Sequence, residues 1–231
     1  MEAELEAVST HMLNLGLGAL SHANWHATTM SFENRFWPEL SVIQAAHAAE
    51  ILIKARIAQE HPLLIFEQLP KPDSSSDTQL TIDQLVKSGR TYQYNDLPGR
   101  LWATTGARIP NRQAYDEFGR LRNAIQHFTT PKQDSSQAAL QFIYGVVDPF
   151  INACWGLFAV DFTDQSDDQK YLVEALISQE IVFLVSDDVI DGVERNWYDL
   201  PWPDGNKAYA REMESRIEEA RLRPRRTPRV P

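Results

Sequence analysis

Arg122-Asn123-Ala124-Ile125-Gln126-His127 places a permanent cation, an amide and a titratable imidazole within six residues, at the end of an amphipathic run. Metal-free cleavage of RNA needs such groups: arginine to hold phosphate in its planar fork, histidine to move protons near neutral pH. Spacing alone carries little weight. With 16 Arg and 6 His in 231 residues, about 0.4 Arg-x4-His pairs are expected by chance. A second pair, Arg56…His61, does occur. The residues around each pair must decide between them.

The elements that position these groups read as helices, because apolar residues recur at helical spacing through most of the chain. The first covers 2–23, with Leu5, Val8, Met12, Leu15, Ala19 and Leu20 as its stripe and Gly16 and Gly18 as weak points. Pro38 suits the first turn of a second, 39–60, which is apolar nearly all round and stopped by Pro62. Residues 62–110 read as a long irregular insertion, with one short helix after Thr81 that ends at Gly89. Further helices are expected over 111–128, 135–160 with a kink or first turn at Pro149, and 166–185. A charged, exposed one covers 206–222. Ile181-Val-Phe-Leu-Val is strand-like by itself but has no partner strand. The sum is an all-α chain, with a domain over 1–185 and an acidic segment, exposed helix and Arg-rich tail over 186–231.

On the 111–128 helix, Phe118, Leu121, Ile125 and Phe128 fall at core spacing, while Asn123 and His127 share a polar face. Arg122 lies on the flank of that core stripe. Five residues at about 100° each put Arg122 and His127 roughly 140° apart. One straight helix therefore does not aim both at one phosphate. Either the helix loosens before Thr129-Thr130-Pro131, or two subunits build the site. Glu50 and Lys54, an i,i+4 pair among Ala, Ile and Leu, add two charges to the most apolar helix. Burial there costs several kcal/mol per ion before pairing. The pair either tunes a site or is a structural ion pair.

Glu50-x3-Lys54 on the second helix, followed later by Arg122-Asn123-x3-His127, resembles the composite motif of HEPN domains (higher eukaryotes and prokaryotes nucleotide-binding), compact all-α proteins of which many are ribonucleases. The resemblance covers about residues 1–185, as five helices within an up-and-down bundle of four to six, and is specific at five positions. Asn123 matches the polar residue after the motif Arg and Ile57 after Arg56 does not, so Arg56/His61 reads as a decoy. The resemblance implies a homodimer with a composite active site that cleaves RNA without metal or cofactor. The products are a 2′,3′-cyclic phosphate and a 5′-hydroxyl. His127 would transfer protons, Arg122 would hold the scissile phosphate, Asn123 would fix geometry, and Glu50 and Lys54 would tune the site. It also implies a toxin or antiviral-defence setting, with an antitoxin or sensor protein as partner. Position 129 is Thr, so the tyrosine that some toxins of the family present to a modifying antitoxin is missing. Other members bind nucleotides or scaffold complexes without cleaving RNA, which is the alternative reading.

Composition bounds the rest. At 43% hydrophobic the chain is not disordered, and no apolar run reaches the roughly 18–20 residues of a membrane span. No secretory signal is evident, and the single cysteine, Cys154, lies in an apolar segment, so a cytoplasmic protein is expected. The net charge of −10 is uneven. Twelve acids against Lys170 and Arg195 crowd 161–204, whereas RLRPRRTPRVP at the end carries five Arg and no acid. That tail could touch nucleic acid or the acidic segment. Asp187-Asp188-x2-Asp191 spells a Mg²⁺-type motif, extended by Glu194, but no second metal motif accompanies it. Trp25-His26, Trp197-Tyr198 and Trp202 are aromatic enough to stack bases, yet isolated aromatics more often anchor loops.

Overall fold

A computed structural model describes residues 2–29, 31–71, 80–130, 132–163, 168–193, 202–203 and 205–224. The helices are α1 (Glu2–Thr28), α2 (Trp37–Glu60), α3 (Ile82–Ser88), α4 (Leu97–Thr105), α5 (Arg112–His127), α6 (Ser135–Phe142), α7 (Asp148–Trp155), α8 (Asp168–Ser178), α9 (Asp187–Val193) and α10 (Lys207–Leu222). Two short strands, β1 (Phe66–Gln68) and β2 (Arg90–Thr91), complete the elements. The protein is all-α. No described helix is long and apolar enough to cross a membrane. The chain forms two compact units, Met1–Gly16 with Glu50–Arg108, and Leu17–Ala49 with Ile109–Pro231.

In the first unit the C-terminal half of α2 is buried nearly all round, with Leu52, Ile53, Ala55 and Ile57 at 0–1% exposure. Gly16 is less a weak point than a requirement: a Cβ there would lie 2.8 Å from Leu52 Cγ. Gly18, by contrast, faces open space. The expected irregular insertion holds more structure than its Pro and Ser content suggests. Thr81 and Gln84 form a reciprocal capping box at the start of α3. β1 and β2 pair antiparallel, Phe66 opposite Thr91. α4 ends at Gly106, whose left-handed φ of 73° only glycine adopts without strain.

In the second unit α5 packs against α6 through Phe118 stacked on Phe142, centroids 3.8 Å apart and 4° from parallel. α6 runs into α7 through a wide turn over Ile143–Val147, where Asp148 N–H reaches back to the Ile143 carbonyl. That widening comes immediately before Pro149, which has no N–H to give and whose ring would crowd the preceding turn. α8 stops at Ser178, short of the expected 185, and Glu180 takes a left-handed φ of 56°. The β-branched run that follows then extends, burying Ile181, Phe183 and Val185. α10 is not the exposed helix its charge suggested: Tyr209, Met213, Ile217 and Ala220 bury one face.

Candidate functional site

α5 starts at Asn111, whose side chain accepts from Ala114 N–H, and stays helical through His127. Phe128 and Thr129 N–H both close onto the Ala124 carbonyl, at 2.9 and 2.8 Å. The helix stays regular through His127 and opens only at Phe128, so Arg122 and His127 keep the divergence of roughly 140° that ideal geometry gives them. Within one copy, the helix by itself does not turn the two side chains toward one point.

The face of α5 that enters the core differs from expectation. Tyr115, Phe118 and Gly119 are buried, and Arg122 continues that inward side, half-buried. Leu121 and Ile125 are only partly covered, and Phe128 is 89% exposed. Leu121 of the expected core stripe instead lines an open groove of about 490 Å³ between α5 and α6, with Ala124, Ala138 and Phe142. Sequence periodicity marked one core stripe, of which Phe118 is buried, while packing turned the Tyr115–Gly119 side inward. Arg122 Nη1 donates to Asn123 Oδ1 at 2.9 Å and to Gln126 Oε1 at 3.4 Å. Asn123 and His127 are exposed. Just past the helix, Thr130 Oγ1 donates to Glu39 Oε1 at 3.2 Å, so the end of α5 touches the first turn of α2.

Glu50 and Lys54 belong to the first unit, whereas Arg122, Asn123 and His127 belong to the second. Lys54 Nζ lies 2.7 Å from Glu50 Oε1 and donates to Thr91 Oγ1 at 3.2 Å. With side-chain exposures of 9% and 22%, this is a close, part-buried ion pair that also ties α2 to β2. The decoy pair has other work. Arg56 pairs with Glu60 at 2.8 Å, and His61 Nδ1 accepts from Leu63 N–H to cap a short 3₁₀ turn.

A second polar centre has no motif. Asp148 is fully buried, and its two oxygens accept from Ala159 N–H at 2.7 Å and Leu184 N–H at 3.0 Å. Burial pushes its carboxyl up to about 7, against the pull of those two donors. Asp161 accepts from Ser186 Oγ and Gln169 Nε2, and burial pushes it up to about 6. Tyr144 donates to Asn24 Oδ1 at 3.2 Å, and Asn24 donates in turn to the carbonyls of Ala159 and Phe162. Burial, then the nearby charges of Asp148 and Asp161, hold the Tyr144 phenol well above its ordinary value. One signal for this centre was available: Asp148 is the one charge in the apolar run from Ala138 to Val160.

The acidic motif at α9 is engaged structurally. Arg223 donates to Asp187 Oδ1 at 3.1 Å and to the Val185 carbonyl at 2.9 Å, and lies 4.6 Å over the Phe158 ring. Among the described residues no three His, Cys, Asp or Glu side chains gather as a metal cluster. Glu194, Trp197-Tyr198 and the tail beyond Pro224 lie outside the described residues. No family model, curated protein or solved structure matches the chain.

Proposed function

We propose that the protein is a metal-independent endoribonuclease of HEPN type. It works as a homodimer, in a toxin or antiviral-defence setting, under an antitoxin or sensor partner. The observation that carries this reading is the unbroken α5. It presents His127 to solvent at the helix end and sends Arg122 about 140° away, so one phosphate is served by Arg122 and His127 only across two copies. The uncovered apolar strip of Leu121, Ala124 and Phe128 supports it, because a second copy would cover that strip. In this reading His127 moves a proton to or from the ribose 2′-hydroxyl or the leaving 5′-oxygen. Arg122 carries the phosphate charge with Asn123 fixing its orientation, and the product is a 2′,3′-cyclic phosphate.

One observation favours a non-catalytic, nucleotide-binding or scaffolding module instead. Arg122 extends the buried side of α5 and is held by Asn123 and Gln126, as a structural arginine would be. Incubating wild type, Arg122→Ala and His127→Ala with total RNA and EDTA separates the two. Cleavage by wild type alone supports the ribonuclease. Intact RNA in all three, with nucleotide bound, supports the module.

A further inference from the structure

The corner between α1 and α2 gathers ring systems that the Arg122/His127 site does not use. Trp37, at the start of α2, lies 4.7 Å from Trp25 and 5.1 Å from His26. Trp25 and His26 are themselves stacked, at 5.5 Å and 24°. His22, one turn back on α1, continues the row at 6.1 Å from His26. Outside this row the connecting loop holds two more rings in solvent. Phe32 is 100% exposed and Phe36 53% exposed, with the Arg35 guanidinium 5.0 Å over the Phe36 ring. The loop is internally braced, because Asn34 N–H donates to Ser31 Oγ at 3.1 Å and Phe36 N–H to Asn34 Oδ1 at 3.0 Å. The aromatics are thus displayed on a shaped turn. Burying a phenylalanine is worth about 1.5–3 kcal/mol, so two exposed ones in one short loop are unexplained by the fold.

We propose that this corner is a stacking subsite for the bases of single-stranded RNA. Unstacked RNA bases are taken up on aromatic rings, on imidazoles and on arginine planes, and all three surfaces occur here within one braced turn and one helix end. Position fits as well: the Thr130–Glu39 hydrogen bond joins the end of α5 that carries His127 to the first turn of α2. Bases held at the corner flank a phosphate presented to His127, and in that respect the inference rests on the ribonuclease reading. Charge sets the character of binding. Arg35 stands beside Glu33 and Glu39, so phosphate attraction is small and stacking carries the affinity.

The test uses a fluorescently labelled 2′-O-methyl oligonucleotide. It has no free 2′-hydroxyl and so cannot be cleaved by this route. Binding is read by anisotropy on the full-length protein, with tryptophan quenching as a second signal. Phe32→Ala and Phe36→Ala, both in solvent, should each weaken binding on the order of ten-fold. Raising salt from about 50 to 200 mM should cost less than about ten-fold. Arg122→Ala should retain most of the stacking contribution. Affinity unchanged in both Phe variants would overturn the proposal, as would a wild type that binds no oligonucleotide. The latter would leave the corner to a protein partner. If unmodified RNA is not cut yet the oligonucleotide binds and the Phe variants lose it, the ribonuclease reading fails and the subsite stands.

Discussion

The end of α5 and the Asp148 centre lie in the same unit and invert each other. The α5 end has the residue types of the motif, with Asn123 and His127 exposed, Arg122 half-buried and bonded to Asn123 and Gln126, and Thr130 bonded to Glu39. The Asp148 centre has no recognisable motif, yet Asp148 and Asn24 each hold two separate pieces of backbone. Asp148 joins α7 to the chain at Ala159 and Leu184, and Asn24 joins α1 to Ala159 and Phe162. The neighbouring clasp works similarly. Tyr209 and Arg216 of α10, and Arg223 that caps it, reach the carbonyls of Ile181, Phe183 and Val185, supplying hydrogen bonds a partner strand would have given. Perturbed acids and motif residues thus separate. Perturbation here reports burial that holds the fold.

The contrast can be broken most sharply at His127 and Arg122. On the ribonuclease reading, replacing either with Ala should lower RNA cleavage by about 10²–10⁴-fold while leaving the unfolding free energy from urea titration within about 1 kcal/mol of wild type. A cleavage rate flat between about pH 5 and 9 would remove His127 as the proton carrier. Asp148→Ala should do the reverse, destabilising by about 2–4 kcal/mol in urea titrations, because it strands two buried N–H donors. Asp148→Asn, which keeps one acceptor, should cost about half as much.

pH gives a smaller, signed effect. Asp148 and Asp161 are raised to about 7 and about 6, so the folded chain keeps protons that the unfolded chain has already released. Their stabilisation is complete below about pH 4 and is lost as pH rises through 6 and 7. The urea midpoint should therefore fall between about pH 5 and 8, less steeply in Asp148→Asn. A rising midpoint would mean the two N–H contacts outweigh burial. Smallest is the clasp: Tyr209→Phe, which loses its bond to the Ile181 carbonyl, should cost about 1 kcal/mol by thermal melting.

Much of the fold was legible in the residues. Helical spacing placed α2, α5 and α10 to within a few positions, and Pro149 located the irregularity in the α6–α7 run. Periodicity failed where a segment had more than one solution. Ile181–Val185 fits a helix continued from α8 as well as a strand, and the side chains that complete its hydrogen bonds come from α10, more than twenty residues on. α5 failed for a related reason: Leu121, Ile125 and Phe128 fall at core spacing, but spacing does not record which side of the helix another element covers. Glu50/Lys54 was correctly paired, because i,i+4 contact is local. Asp148 went unassigned because nothing near it in sequence tells which amides will face it.

What the sequence determined by itself is what local geometry dictates: an all-α chain, helix caps, the Glu50–Lys54 pair, and the divergence of Arg122 and His127 along one helix. Tertiary structure decided which face of α5 enters the core. It also turned Asp148 into a buried anchor and brought Trp25, His26 and Trp37 together beside Phe36. Those outcomes depend on which distant surfaces meet, and helical periodicity records only that a face is apolar, not what covers it.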